Sequence, residues 1–319
     1  MDNITYSITG GIEAISIDVF ESYEQPSSRC TIVTPNYGSL GLGDLITVNI
    51  GFDSSNGTVF QGYIQDIAAD RLPGQYTIEA QDVLIKAVEH LIVSTDLDNP
   101  WSRTNISAED LIEDLLNEAG IISFSGASPG FTFATGEMPV EFQLIFAWDA
   151  IKMVSDVVAW HVYADTSGTV HFADIDPTPS GAPVASYVTG SSGTILTAHR
   201  SRNTDNLRNK VVVFGIPPVA AVSSASSPYL PAGFYKTAVI SSHLIDTQSM
   251  ANTTASYNLS KWNKLTETCS LETIGQYQRH ARQTVTVTES FSGASGDFFI
   301  HDITHSLTNT YIMRLNLTK

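Results

Sequence analysis

The chain has 319 residues, 42% hydrophobic and only 15% charged, with 33 acidic against 16 basic side chains and a formal net charge of −17. That length accommodates two or three domains, each with its own core. The acidic balance excludes a primary role in gripping phosphate backbones, and no run approaches the roughly 18 apolar residues that cross a bilayer. The N-terminus, MDNITYSITGG, lacks the basic and apolar regions of a secretory signal, so the expectation is a soluble protein made in a cytoplasm. With charge so sparse, the polar surface falls to Ser, Thr, Asn and Gly, a composition usual in β-rich proteins.

Residues 1–93 read as strands followed by one helix. Ile12 to Phe20 alternates weakly, and Arg29 to Thr34 is short and β-branched. Leu45 to Ile50 and Thr58 to Ile67 form a hairpin around a turn at 53–57, and Gln75 to Ala80 follows a turn at 72–74. In DVLIKAVEHLIV, the residues Val83, Leu84, Ala87, Val88 and Leu91 make a helical stripe expected to close this sheet.

Residues 94–192 carry the clearest helical signals. Ser107 is placed to cap a helix whose buried face is Leu111, Ile112, Leu115, Leu116 and Ala119, with Gly120 as the stop. Its acidic face, Glu109, Asp110, Glu113, Asp114 and Glu118, reads as a solvated surface rather than a cation site. A second helix has Ala147, Ile151, Val154 and Val158 on its apolar side, with Asp149, Lys152 and Asp156 pointing elsewhere. It runs into a hairpin that places Trp160 and Val162 on one face and His161 and Tyr163 on the other, turns at Asp165-Thr166-Ser167-Gly168, and returns along Thr169 to Phe172. The Pro/Gly/Ser-rich stretch from Asp176 to Gly193 reads as a loop or linker.

Residues 193–319 return to strands. Arg208 to Gly215 is an apolar strand, 217–233 reads as a long surface loop, and a helix is expected around Ala255 to Lys264. Three alternating segments finish the chain: Arg282 to Glu289, Phe298 to Thr304 and Thr310 to Leu317. The expected class is therefore β-rich α+β, with β domains at 1–93 and 193–319 flanking a mixed helix and hairpin domain at 94–192. Charge is polarised along this division: 12 acidic against 3 basic groups in the first part, 14 against 2 in the second and 7 against 11 in the third.

No catalytic, cofactor-binding or metal-binding residue emerges. Cys30 and Cys269 lie far apart in expected strands, without a CxxC pair, and read as reduced core residues. His301 and His305 share a strand face about 13 Å apart, too far for one ion. Carboxylate pairs that a cell-wall or glycan hydrolase would need exist at Asp174/Asp176 and Glu137/Glu141, but Asp-Ile-Asp before Pro177 reads more simply as a strand end and turn. The chain has no G-x-S-x-G, H-E-x-x-H or P-loop motif. Trp101, Trp262, Tyr229 and Tyr235 would serve a carbohydrate-binding surface if exposed, or a core or interface if not.

The order of features is distinctive. GDLITVNI…TVFQGYIQDI, QYTIEAQD leading into a helix, SAEDLIEDLL, FAWDAIKMVSDVVAWHVYADTSGTVHF and RNKVVVFG together resemble the baseplate hub proteins of contractile and related phage tails. The resemblance covers most of the chain, although no single motif carries chemistry and the 217–233 loop has no counterpart in the pattern. It implies two tube-like β-barrel or sandwich domains and a homotrimer presenting six of them in a ring. It also implies a tail tube or distal tail protein on one side, a central spike on the other, and a channel through which DNA passes without sequence-specific binding. The place implied is the tail tip of a virion assembled in the host cytoplasm, with no enzymatic activity and no cofactor. In such a ring, the charge polarity would let Arg200, Arg202, Arg208, Lys210, Lys261, Lys264, Arg279 and Arg282 face acidic neighbours.

Overall fold

Six strands lead the chain: β1 (Ile4–Ile8), β2 (Ser16–Ser22), β3 (Arg29–Thr34), β4 (Leu45–Phe52), β5 (Ser55–Ala69) and β6 (Tyr76–Gln81), followed by the short helix α1 (Ile85–Glu89). Next come β7 (Leu91–Ile92), β8 (Trp101–Arg103), β9 (Ile106–Ser107), α2 (Ala108–Glu118), β10 (Phe124–Gly126), β11 (Thr132–Phe133), β12 (Val140–Phe142), β13 (Ile145–Phe146) and α3 (Ala147–Val158). The hairpin β14 (His161–Ala164) and β15 (Val170–Ala173) precedes β16 (Ser186–Val188), β17 (Ile195–Arg202), β18 (Lys210–Phe214), β19 (Ala220–Ser224) and β20 (Thr237–Ser241). The chain ends with α4 (Gln248–Trp262), β21 (Glu267–Ile274), β22 (Thr284–Thr288), β23 (Ser295–Leu307) and β24 (Tyr311–Thr318). This computed structural model describes residues 3–53, 55–69, 74–94, 100–126, 130–134, 139–190, 193–264 and 267–319. Parts of the expected turns at 53–57 and 72–74, and Glu137, lie outside the described residues. With 45% strand and 15% helix, the protein is β-rich α+β.

Strands from both ends of the chain make one twelve-stranded sheet, ordered β1-β4-β5-β6-β3-β2-β23-β24-β21-β17, with β22 on β23 and β16 on β22. Two long strands steer it. β5 pairs with β4 through Tyr63 and with β6 from Tyr63 onward, and the register shifts between Ile64 and Asp66. β23 gives Ser295–Phe299 to β22 and Asp302–Leu307 to β2 along one edge, while its other edge runs beside β24 with a shift between Ile300 and Asp302. An extra residue on one strand bends it and strengthens the local twist, which lets one strand serve two partners. The β2–β23 ladder joins the two halves of the sheet, and each half has its own core. Ile17, Ile32, Ile46, Ile50, Ile64 and Ile78 fill the first. Tyr187, Val285, Phe298, Ile300, Met313 and Leu315 fill the second. Each of these aliphatic side chains contributes roughly 1.5–3 kcal/mol by leaving water.

A third core lies among the helices. α2 and α3 pack together through Leu111, Leu115, Ile151 and Val154, and the sheet β19-β18-β20 with α4 adds Val211, Val213, Ile240, Ala251 and Ala255. Ser107 caps α2 as its sequence suggests, accepting from the Asp110 N–H at 3.0 Å. Gly120, at φ +71°, follows the C-cap in the left-handed region that glycine adopts without cost. Three two-stranded ladders, β7–β13, β8–β12 and β9–β11, clip the helices in place, because β9 runs directly into α2 and β13 into α3.

Several expectations are corrected here. α1 is only five residues long, and Leu84 at its N-cap and Ala87 within it are buried in the helical core rather than against the first half of the sheet. Leu91, expected in the helical stripe, is exposed in a strand opposite Phe146, and the next residue, Ile92, lies opposite Ile145. The stretch expected to be a loop at 217–233 contains β19, whose Ala221 is buried. The expected linker contains β16, held by a fully buried Tyr187. α4 begins at Gln248, well before Ala255, because its buried stripe (Met250, Ala251, Thr254, Ala255, Asn258, Leu259) contains polar residues that mask the periodicity. Those residues have a job: Thr254 Oγ1 donates to the Val157 carbonyl at 2.9 Å and Asn258 Nδ2 to that of Asp156 at 3.1 Å, satisfying the open C-terminal turn of α3.

Candidate functional site

The place where all parts of the chain meet is the end of β2 beside the bulge of β23. Tyr23 N–H donates to the His301 carbonyl at 2.8 Å and Arg282 N–H to that of Ile300 at 2.7 Å, so both neighbours of β23 exchange at this point. Arg282 sits at φ +73°, an unfavourable conformation for a residue with a Cβ. It directs its guanidinium onto Glu21, onto the Ser22 carbonyl at 3.1 Å, and over the Tyr163 ring at 4.1 Å. His280 Nδ1 reaches the other Glu21 oxygen at 3.3 Å. Burial pushes the Glu21 carboxyl up, but Arg282 and then His280 outweigh it and leave its pKa below the usual glutamate value.

The hairpin from the centre of the chain lies against this cluster with the face expected from its alternation. Tyr23 and His161 stack at 4.2 Å and 17°, His161 and Tyr163 at 5.6 Å, and Tyr163 and His171 at 5.3 Å. His171 Nε2 is 2.9 Å from Asp165 Oδ2, and the Asp165 carboxylate also receives the N–H groups of Ser167 and Thr169, which fixes the turn. Tyr23 OH donates to the Ile175 carbonyl at 3.0 Å. A cavity of about 530 Å³ opens beside the column, lined by Glu21, Asp82, Tyr163, Asp176, Lys261 and Arg282 among others. Burial raises the Asp82 carboxyl to about 7, against the opposing hydrogen bonds from Ser28 and Leu84.

The residues singled out in the sequence are dispersed. Cys30 and Cys269 are free and buried, one in each half of the sheet. His301 bonds Asp302 at 3.1 Å and approaches Glu24 at 3.6 Å; burial lowers its pKa, but these two carboxylates more than offset that and raise it to about 9. His305 bonds Tyr311 OH at 2.7 Å and the Arg279 carbonyl at 3.0 Å, and burial followed by the charge of His280 lowers it to about 4. No group of three or more His, Cys, Asp or Glu able to hold a metal ion occurs among the described residues. Asp174 and Asp176 are each held by a lysine, Lys261 of α4 and Lys264 just past its end, both at 2.7 Å. Glu141 is exposed on β12. On the acidic face of α2, Asp114 pairs with Arg103 at 2.6 Å and Glu118 accepts from the Trp101 indole at 2.9 Å, while Glu109, Asp110 and Glu113 make no ion pair among the described residues.

Trp101 and Trp262 pack against the helical core, whereas Tyr229 and Tyr235 are exposed. Of the basic set, Arg200 and Arg202 share Glu267, Lys261 and Lys264 hold the two aspartates, and Arg282 holds Glu21. Arg208, Lys210 and Arg279 have no carboxylate partner among the described residues. Most of the positive charge expected to face a neighbouring chain is thus used within this one. The junction cluster itself escapes sequence reading: Glu21, Tyr23, His280 and Arg282 are separated by up to 261 positions, and the one local signal is a hairpin face that pairs histidine with tyrosine.

Neither a family model nor a curated protein matches the chain in sequence. Solved structures do match. A tail protein from Neisseria meningitidis MC58 superposes with a TM-score of 0.73 over 99% of this chain and 96% of its own, at 16% identity. The 43 kDa tail protein of prophage MuSo2 from Shewanella oneidensis gives 0.70 over 99% and 98%, at 14% identity. The chain has the fold of these phage tail proteins. An E. coli component of the type VI secretion system, itself described as structurally similar to tail proteins of bacteriophage T4, gives 0.56 over 98% of this chain and 76% of its own, at 8% identity. The likeness in fold extends over 98–99% of the chain in these three comparisons, further than the resemblance in sequence, which covers most of it and leaves 217–233 unmatched. No helix among the described residues is long and apolar enough to cross a membrane.

Proposed function

We propose that this chain is a structural tail protein acting as a homotrimeric baseplate hub. It joins a sixfold tail tube, or a distal tail protein, to a threefold central spike and leaves a channel for DNA. The observation that carries this reading is one sheet divided into two halves, each with its own core, whose strands are joined through the β2–β23 ladder. Two such β units per chain match sixfold symmetry when three chains assemble. The units correspond to β1–β6 within residues 1–93 and to β17 and β21–β24 within residues 193–319 with β16 added from the middle segment, and the hairpin of residues 94–192 packs against both at the junction cluster. β1 and β17 end the sheet, so each presents an edge with no strand against it among the described residues. Such edges invite pairing, and a heterologous contact that closes into a ring removes them from solution.

The reading has no enzymatic step and requires no cofactor, and its place is the tail tip of a virion assembled in the host cytoplasm. The carboxylates that a hydrolase would need are instead tied to lysines at Asp174 and Asp176. Imaging of the intact particle down its axis, combined with native mass measurement of the tail tip, tests the proposal. Three copies around an open channel are expected; one or two copies, or a closed axis, would refute it.

A further inference from the structure

Three of the four tryptophans in the chain come together in one place. Trp148 from α3, Trp160 at the entry to the hairpin and Trp262 at the end of α4 line a cleft of about 430 Å³ together with Tyr23, Gln25 and His161. That volume lies within the roughly 300–1,000 Å³ of small-ligand sites. Each indole rests partly on the helical core, so its ring is held in place. Unlike Trp101, none of the three gives its N–H to a partner among the described residues. The buried Nε2 of His161 likewise has no hydrogen-bond partner among them. The ring is kept neutral, first by burial and then by the charges of Arg282 and Lys261, so this nitrogen can donate or accept according to its tautomer. At the mouth stand the exposed carboxylates of Glu24, 3.6 Å from His301, and of Asp156, paired with Lys152 at 3.2 Å, each with acceptor capacity left, and Lys152 and Lys261 also line the cleft.

These groups ask for three things at once: flat C–H surface for the indole faces, acceptor oxygens for the indole N–H groups, and hydroxyl donors for the carboxylates and the Gln25 carbonyl. A pyranose ring supplies all three. A proline-rich peptide suits the indoles but brings no hydroxyl to the carboxylates. An anion would have to displace Asp156 and Asp174 from Lys152 and Lys261, the two lysines of the lining, and a simple cation leaves the N–H donors unused. We propose that the tryptophan cleft is a saccharide-binding subsite that takes a neutral pyranose, stacked on indole and hydrogen-bonded by indole N–H and rim carboxylate.

This proposal is independent of the hub reading, and its assay does not depend on assembly state. The full chain is titrated with methyl glucoside, methyl galactoside, methyl mannoside and N-acetylglucosamine, following tryptophan fluorescence and saturation-transfer NMR, with a decaproline peptide as comparison. The expected result is saturable binding of at least one sugar with a Kd on the order of 1 mM. It should weaken about tenfold in Trp148→Phe, which keeps a ring but loses the N–H. It should also weaken in Gln25→Ala, at an exposed position whose change does not threaten folding. Absence of saturable sugar binding overturns the proposal, as does sugar binding that survives both substitutions. Binding of decaproline alone overturns it in favour of a peptide groove.

Discussion

Arg282→Ala is the most informative single change. The side chains of Arg282 and Glu21 are only 7% and 11% exposed, so solvent cannot take the place of either partner. Removing the guanidinium leaves a buried carboxylate with the His280 imidazole, 3.3 Å away, as its remaining side-chain partner, a loss on the order of 3–5 kcal/mol. Part of that is offset in Arg282→Gly, because glycine accepts the left-handed backbone at φ +73°, and this variant should be about 1 kcal/mol more stable than the alanine one. Urea unfolding of both variants and the parent gives the differences as midpoint shifts. Hydrogen exchange at the amides of Tyr23 and residue 282, which donate into the β23 bulge, localises them.

The pH dependence has a definite sign. The folded pKa of Glu21 is depressed, so its stabilising contribution is present above the unfolded value of about 4.3 and is lost as pH falls through the folded value. Glu21→Gln should flatten that acid limb. An alanine variant within about 1 kcal/mol of the parent, or glycine no better than alanine, would refute the reasoning that a buried ion pair in a strained backbone ties the sheet halves together.

Three further outcomes are expected. The folded pKa of His301 is raised to about 9, so the stability it contributes is full below its unfolded value of about 6.5 and disappears as pH rises through 9; His301→Gln should abolish that alkaline slope in a stability–pH profile. Thr254→Val keeps the shape of α4 but leaves the Val157 carbonyl without its donor, costing about 1–3 kcal/mol by denaturant unfolding; a neutral effect would show that water takes over the cap. A Cβ on Gly126 would stand 1.8 Å from the Phe172 ring, so Gly126→Ala should cost about 1–3 kcal/mol and loosen the β10–β15 pairing seen by hydrogen exchange.

Elements that carry their own periodicity were determined by the sequence alone. The apolar stripe of α3 and its polar side, the Ser107 cap and Gly120 stop of α2, the span of β3 and the alternation of β14 are local properties, and local backbone preferences with one-sided burial suffice to specify them. The order of these elements also carried the likeness to tail proteins. Only the tertiary structure decided the rest. Ile92 opposite Ile145 and Ser22 opposite Asp302 are pairings between distant segments, and a two-residue strand such as β7 or β13 is too short to show a period. The first two turns of α4, with Thr254 on the buried side, are not marked as helix in the sequence, and the use of Thr254 and Asn258 is visible only once the open carbonyls of α3 are seen against them. Arg282 reads as surface charge until the bulge of β23 turns it inward onto Glu21. The tryptophan cleft gathers α3, the hairpin and α4 because three hydrophobic faces, each unable to leave water alone, find one core, and their indoles meet at its rim.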